Sequence, residues 1–391
     1  MKNENLVPKV RFKGFSDPWE QRKLGNISII KGRLGWKSLK QEEYTSSGPS
    51  MIAGRHIVNG EIDWGKVDHI PEWRYQESPE IALKNNDVIF SKDGSLGNPA
   101  LIHGLKDEAT INSTMMLVRT DNSINSGFFY EILLTEQFQR LIYLKVSGSS
   151  IPHLFQADMN NFEIMVPTHD EQDKITNILF KLDSLIAANE DKLEQLKTLK
   201  KLMMQKIFSQ EWRFKGFTDP WEQRKLESVV IVYDKGRVPV TSTERISGDT
   251  PYYGANGIQD YVDGYTHDGE FTLIAEDGAN DTRNYPIKFV SGKIWVNNHA
   301  HVLAGKQNIL NTRFLSFSLQ QINIEPFLSG SGRAKLNASE MKKLLIAVPN
   351  IYEQIKVENF LGEMAHLIAA NEDKLNQLKE LKKYLMQNMF V

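Results

Sequence analysis

Two short runs, Lys31-Gly32-Arg33 and Lys235-Gly236-Arg237, set cations on either side of a glycine. Other polar side chains stand on glycine-rich or serine-rich stretches around them. In the first half these are Arg55, His56, Lys92, Ser95, Ser149, Ser150 and His153. In the second half they are Tyr253, Asn256, Asn280, Arg283, Asn284, Ser331, Arg333 and Lys335. Such residue types hydrogen-bond nucleic acid: arginine pairs in bidentate fashion with guanine, and asparagine or glutamine with adenine. The glycine-serine turns at Ser147 and Ser329 present backbone N–H groups suited to phosphate. Taken singly, each is an ordinary solvated turn or surface charge; only the clusters carry the binding reading.

Catalytic arrangements are not legible. No two prolines are adjacent, so the Asp/Asn-Pro-Pro-aromatic run of amino-methyltransferases is missing. Gly32 to Ser38 reads GRLGWKS, which lacks the spacing of a phosphate-binding G-x-x-x-x-G-K-[ST] loop. With no cysteine, thiol catalysis is excluded, and a metal would need histidine and acidic ligands alone. His299 and His301 form an H-x-H on an expected strand with both rings on one side; a hydrogen-bonded, buried or DNA-facing pair is expected there rather than a metal site. Asp93 and Asp277, each followed by glycine, are expected to hold tight turns. Trp19 and Trp221, after Asp-Pro turns, are expected in the core.

These residues are positioned by a frame that occurs twice. Arg11 to Leu24 reads RFKGFSDPWEQRKL, and Arg213 to Leu226 reads RFKGFTDPWEQRKL, differing only at Ser16 and Thr218. LIAANEDKLEQLK from Leu185 returns as LIAANEDKLNQLK from Leu367. The separation of matched residues falls from 202 to 182 along the repeat, so the first copy carries extra loops, the largest between Gly54 and Asp93. Between the fixed segments, β-rich runs such as DVIFSKDG, MMLVRT, FTLIAEDG and KIWVNNHAHVL alternate with glycine turns. They predict α/β domains with twisted, mostly antiparallel sheets and short helices, one of them over 128–144.

The fixed parts predict long helices. Thr168 to Glu171 forms a capping box behind Pro167, and Asn350 caps the second helix with Glu353 at its third position. Heptads follow, with Ile175, Leu182, Asn189, Leu196 and Met203 at a, and Leu179, Ile186, Leu193, Lys200 and Ile207 at d. The second copy gives Val357, Met364, Asn371, Leu378 and Leu385 at a, and Leu361, Ile368, Leu375, Lys382 and Met389 at d. Two such stripes in one chain predict a coiled coil, with the matched asparagines fixing register. A pseudo-two-fold between the copies makes the helices antiparallel and sets the heads at opposite ends of a rod. Forty residues would span about 60 Å. By the same symmetry Val391 is expected near the residues before Arg11. The outward residues Asn189, Glu190, Asp191 and Lys192 match Asn371, Glu372, Asp373 and Lys374, which predicts a partner that docks twice.

Composition sets the class. The chain has 391 residues, 40% hydrophobic and 25% charged, as expected of a soluble protein of two domains. No leader-like or membrane-spanning run is visible, and with the missing cysteine this predicts a cytoplasmic location. A net charge of −2 argues against a binder driven by bulk charge but leaves room for a local basic face.

The order of variable domain, P-x-x-x-E-Q-x-K-[IV] and heptad helix, repeated once, resembles the specificity subunit of type I restriction–modification systems. RFKGF-[ST]-DPW, YGANG from Tyr253 to Gly257, and the AEDGANDTRNYPI and WVNNHAHVL runs resemble a common target-recognition domain of that family. The resemblance implies an α+β fold: target-recognition domains at 1–166 and 211–348, and conserved spacer helices at 167–210 and 349–391 forming an antiparallel coiled coil. It implies that each domain reads one half of an asymmetric bipartite site in double-stranded DNA. Two methyltransferase (modification) subunits and two motor-nuclease (restriction) subunits are the implied partners. The chain itself is implied to be non-catalytic and without cofactor or metal; S-adenosylmethionine, ATP and Mg belong to the partners. At about 3.4 Å per base pair the rod would cover roughly 17 base pairs. Two other readings stay open from the residues alone: a two-headed adaptor for proteins or glycans without DNA binding, and a nuclease or hydrolase using carboxylates such as Asp93 and Asp277.

Overall fold

A computed structural model describes residues 7–34, 37, 39–147, 153–330 and 334–391. By their internal contacts they fall into two units, residues 1–189 with 374–391, and residues 190–373. Each unit therefore owns a head, the start of the long helix that leaves it, and the end of the other long helix.

In unit 1 the main sheet runs, in spatial order, Ser28–Lys31, Met115–Thr120, Val88–Ser91 and Gly97–Leu101, all antiparallel. A smaller sheet joins Asp68–His69, Thr45–Ile52 and Ala109–Ile111, the last two in parallel. In unit 2 a six-stranded sheet orders Val230–Val232, Ala300–Gly305, His267–Ala275, Ile287–Val296, Ser247–Gly254 and Gly257–Val262. One of its pairs, Ser247–Gly254 with Ile287–Val296, is parallel. The expected KIWVNNHAHVL strand is thus two strands, broken at Asn297 to His299, which flank His267–Ala275 on either side rather than pair with each other. The helix expected over 128–144 is also two, Ser126–Leu134 and Glu136–Ser147. Thr135 divides them: its ψ of 162° leaves the helical range, and its backbone N–H and hydroxyl both return to the Ile132 carbonyl.

The doubled P-x-x-x-E-Q motif is a joint between head and helix. Arg11 grips Glu171 through Nε and Nη2 at 2.6 and 2.8 Å, and Arg213 grips Glu353 at 2.9 and 2.6 Å. The glutamines repeat as closely. Gln172 accepts from Asn125 N and donates to the Pro167 carbonyl; Gln354 accepts from Asn311 N and donates to the Pro349 carbonyl. Asn125 and Asn311 in turn cap the head helices Ser126–Leu134 and Thr312–Leu319. Here one expectation changes. Glu171 turns to Arg11 and closes no capping box on Thr168; Asn350 accepts from Glu353 N at 3.0 Å although Glu353 turns likewise to Arg213.

The long helices are His169–Phe208 and Ile351–Asn388. In unit 1, Ile175 and Leu179 share a core with Leu385, Met386 and Met389, and Lys382 reaches Asp183 at 2.5 Å. In unit 2, Met203, Met204 and Ile207 share a core with Val357 and Leu361, and Lys197 reaches Glu372 at 2.7 Å. Start meets end in each unit, so the segments run antiparallel there. Unit 1 also brings Val10 N to the Asn388 carbonyl at 2.9 Å, as Trp212 N meets the Lys206 carbonyl at 3.1 Å in unit 2. Trp19 and Trp221 are buried as expected.

The copies differ by compensated exchanges where head meets helix. Gly127 lies under Thr176 and Phe180 in unit 1; the matching positions of unit 2 are Arg313 and Gly362, whose Cβ would stand 2.9 Å from the arginine Cζ. Glu131 is fully buried, and neither carboxyl oxygen has a hydrogen-bond partner among the described residues. In unit 2 its place is taken by Phe317, whose ring receives Lys200 Nζ at 5.7 Å.

Burial pushes the Glu131 carboxyl up to about 7 from its ordinary 4.5, opposed by Lys382 and assisted by Asp183. The folded state therefore holds a proton that the unfolded chain has already released. Stability is full below pH 4.5 and falls as pH rises through about 7, by about 3 kcal/mol for this group. Glu131→Gln is expected to flatten that dependence, which urea titrations at pH 5 and pH 8 measure.

Candidate nucleic-acid interface

In unit 1 three loops converge at one end of the main sheet. The Lys92 N–H bonds the Thr114 carbonyl at 2.9 Å, and the Lys92 carbonyl accepts from Leu154 N at 2.9 Å. Asp93 faces His153 across an isolated bridge, and their side chains are hydrogen-bonded through Nδ1. Gly94 has φ of 72°, a turn conformation that favours glycine. Asn98 donates to the Gly54 carbonyl at 3.2 Å and so holds the Arg55 loop against this turn. Arg55 is exposed and ion-paired with Asp68; Ser95 is exposed; Lys31, Lys92 and His153 are half-buried.

Unit 2 repeats the arrangement with other side chains. Asp277 bridges Lys335 through the backbone and holds the His299 ring through Nδ1, and Gly278 has φ of 70°. Asn256 donates to the Gly278 carbonyl at 2.9 Å and accepts from Asn280 N at 3.0 Å. Asp281 takes the backbone N–H groups of Arg283 and Asn284, which holds its carboxyl below the usual range and leaves the arginine and asparagine exposed. Lys235, Asn256 and Asn280 are exposed too.

Several expected contacts prove internal. Arg33 is 2% exposed, bonded to the Ile111 carbonyl, with burial lowering its pKa; it cannot reach a ligand from there. His56 is equally buried, its Nδ1 accepting from Ala53 N, and burial lowers its pKa as well. Tyr253 is 6% exposed between strands. Arg237 is spent on Glu276 at 2.7 Å, the Ala300 carbonyl at 2.9 Å and the Asp234 carbonyl at 3.0 Å. Ser149, Ser150, Ser331 and Arg333 lie outside the described residues. Of the docking residues, Asn189 and Asn371 are not outward: both are buried and donate to the carbonyl one turn back, Leu185 and Leu367, at 2.7 Å. Glu190, Asp191, Lys192, Asp373 and Lys374 are exposed, and Glu372 is half-buried beside Lys197.

The two histidines of the H-x-H part company. His299 faces Asp277 from the turn, whereas His301 is buried on its strand between Asp234, at 2.6 Å from Nδ1, and the Leu336 carbonyl, at 2.9 Å from Nε2. Asp234, Glu276 and His301 bring donor atoms within 4.8 Å of one another, close enough for a metal. Arg237 already occupies the space between the carboxylates, and Lys335 reaches Glu276 at 3.1 Å. Burial alone would raise both carboxyls; the His301 bond on Asp234 and the Arg237 bond on Glu276 bring each below its ordinary value. The cluster is an internal clamp beneath the loops. Sequence reasoning missed it because its members lie far apart along the chain. It also missed Trp73, 61% exposed on the loop insertion, and exposed apolar residues that recur at matched helical positions, Leu185 with Leu367 and Leu199 with Leu381.

A family described as "Type I restriction modification DNA specificity domain" matches residues 16–198 and again 218–380. A putative type I restriction enzyme specificity subunit of Haemophilus influenzae is 46% identical over 146 residues, which are 37% of this chain and 38% of that one. A type I restriction enzyme specificity subunit of Methanocaldococcus jannaschii is 30% identical over 205 residues, 51% of this chain and 48% of that one. The aligned chain thus spans less than half the length of either relative. The crystal structure of a type I restriction-modification system S subunit from M. genitalium superposes with a TM-score of 0.71 at 17% identity, covering 98% of this chain and 99% of that one, a likeness of fold.

If Arg237 is a clamp and Arg283 a surface group, their substitutions separate. Arg237→Met is expected to destabilise unit 2 by roughly 2 kcal/mol because two half-buried carboxylates lose the cation they share. Arg283→Ala is expected to stay within about 0.5 kcal/mol. Urea melts followed by tryptophan fluorescence compare the two.

Proposed function

The chain belongs to the type I restriction–modification DNA specificity family, and from that premise we propose that it is the non-catalytic subunit that reads DNA and scaffolds such a complex. The observation that carries this is the doubled frame: one joint and one helix repeated nearly unchanged around two loop clusters with unlike side chains. Unlike loops read unlike sequences, so the full site is bipartite and asymmetric. Heads at 1–166 and 211–348 act as target-recognition domains, and the helices at 167–210 and 349–391 set the spacer. Modification and restriction subunits, in two copies each, supply the chemistry with S-adenosylmethionine, ATP and Mg. No described helix is long and apolar enough to cross a membrane.

In unit 1 the surface that meets DNA comprises Lys31, Arg55, Lys92, Ser95 and His153. In unit 2 it comprises Lys235, Asn256, Asn280, Arg283, Asn284 and Lys335. Base-reading groups must be exposed yet held, and the Asp281 cap and the Asn256 bonds do that for the second cluster.

Mapping methylated adenines in cells with and without this chain should recover one bipartite asymmetric motif; a motif unaffected by its loss would defeat the reading. Arg283→Ala should weaken binding by about 1–3 kcal/mol and relax a single position in one half-site, whereas a phosphate contact would weaken all sequences alike. Adding one heptad to both helices should widen the gap between methylated bases by about 3 base pairs, from about 1.5 Å per residue and about 3.4 Å per pair.

A further inference from the structure

The strands Glu20–Lys23 and Glu222–Lys225 carry the same four residues, and their side chains are outward in both units. Most of the surrounding repeat has a packing reason. Arg11 and Arg213 hold glutamates, the tryptophans and Leu24 and Leu226 are core, and Phe15 lies under Lys174. The strand has none.

Its neighbour provides the control. Glu163–Val166 and Leu345–Val348 pair with these strands in the same register. Their buried residues agree, Ile164 with Ile346 and Val166 with Val348. Their exposed position has drifted, Glu163 to Leu345, and so has a half-buried one, Met165 to Ala347. Gln21 bonds Glu163 at 2.5 Å, yet Gln223 persists where that partner has become leucine. One ladder thus varies on one strand and is invariant on the other.

Among the described residues each of these sheets has two strands, so each strand also has an edge with no strand beside it. Leu24 N bonds the Phe162 carbonyl, and Leu226 N the Leu344 carbonyl, which sets the alternation. The backbone N–H groups of Gln21 and Lys23, and of Gln223 and Lys225, therefore point away from the paired strand. An open groove of about 590 Å³ crosses the end of the first ladder, lined by Gln21, Arg22, Lys23, Asn26 and Ile27 and by Glu163 of the paired strand. An edge lysine guards against aggregation, which accounts for Lys23 and Lys225 but not for the glutamines or the arginines.

We propose that these two strands are a duplicated docking edge for a protein subunit that joins the complex in two copies, the modification subunit, which lays an extended segment along each. This rests on the function proposed above. The duplication fixes the kind of partner: identical surfaces on unlike heads serve one ligand met twice. DNA phosphate is also met twice, but the electrostatics oppose it. Arg22 and Arg224 are each closed by a glutamate at 2.6 Å, Glu20 and Glu222, with equal exposure in both units. A phosphate site would not keep a carboxylate on its guanidinium twice. An added strand takes its affinity from the free N–H and C=O groups and its selectivity from alternate side chains.

The test uses the full chain co-expressed with the modification subunit, with stoichiometry read by native mass spectrometry. The variants are Arg22→Glu with Lys23→Glu, Arg224→Glu with Lys225→Glu, and all four together. Wild type is expected to take up two partner copies, each two-residue variant one, and the four-residue variant none, with partner affinity per altered site down at least roughly tenfold. Glu163→Gln and Leu345→Gln on the neighbouring strands are expected to keep both copies. Should the charge reversals lower the melting temperature, Gln21→Ala with Gln223→Ala decides by a severalfold loss of affinity. Two copies held at wild-type affinity by every variant overturns the proposal. So does retention of both copies with a uniform loss of DNA affinity, which would assign the edge to phosphate. A wild-type chain that takes up no partner defeats the functional reading itself, and this proposal falls with it.

Discussion

Each tryptophan of the repeat meets a phenylalanine that comes from the end of a helix rather than from its own head. Phe390 stacks on Phe128 at 5.6 Å and meets Trp19 edge-on at 6.4 Å in unit 1. Phe208 meets Phe314 at 5.5 Å and Trp221 edge-on at 5.9 Å in unit 2. Aromatic burial of this size dominates the energetics of a small core. Neither core is complete until the last turns of a helix enter it, and the rest of the architecture follows from that dependence. The arginine–glutamate joints fix where a helix leaves its head, and the aromatic contacts fix where a helix ends.

Such a frame tolerates change in the loops because the cores that the helix ends complete are built mainly from the frame, while the insertion of unit 1 packs a cluster of its own around Ile57, Ile62, Val67 and Ile81. The frame tolerates change in its own packing only through paired exchange. Gly127 under Phe180 and Arg313 over Gly362 are two solutions of one contact, with the bulk moved from helix to head. Glu131 near Lys382 and Asp183, and Phe317 under Lys200 with Ala365 at the matching helix position, are two solutions of another. In both cases a lysine from a d position is drawn inward. In unit 1 Asp183 answers its charge directly. In unit 2 an aromatic face answers it, and burial with the nearby Arg313 lowers the Lys200 pKa. A head transplanted from one half to the other would meet the wrong member of each pair.

What the sequence disclosed was whatever repeats with a short period or obeys a local rule. The heptads, the buried tryptophans, the Asn350 cap and the strand within DVIFSKDG are of this kind, since periodicity and capping are set by neighbours in sequence. The helix over 128–144 failed at Thr135 because a single ψ angle ends one helix and opens another without a glycine or proline to announce it. The binding candidates divided along a different line. Arg55 and Arg283 stayed outside, while Arg33 and Arg237 turned inward, although all four are arginines on loops near glycine. What separates them is the distant carbonyl or carboxylate each meets: Ile111 for Arg33, Glu276 and Ala300 for Arg237. Those partners lie more than 35 residues away, beyond any local pattern. Asn189 and Asn371 show the same limit, for they look polar and outward but donate to a carbonyl of their own helix.

The two loop clusters bear on how one frame yields two specificities. Both place an aspartate ahead of a left-handed glycine and bridge that aspartate by backbone to a residue from the segment before the spacer helix. The bridging residue is His153 in one and Lys335 in the other. The imidazole that holds the aspartate side chain is that same His153 in unit 1, but His299 from another turn in unit 2. The scaffold therefore preserves an interaction, a restrained carboxylate at the base of a turn, while the side chain that supplies it moves. A restrained base fixes where the loop tips stand, and residues at the tips then vary without disturbing it. Freedom at the tips and rigidity beneath them are what a protein needs if its target is to change faster than its fold.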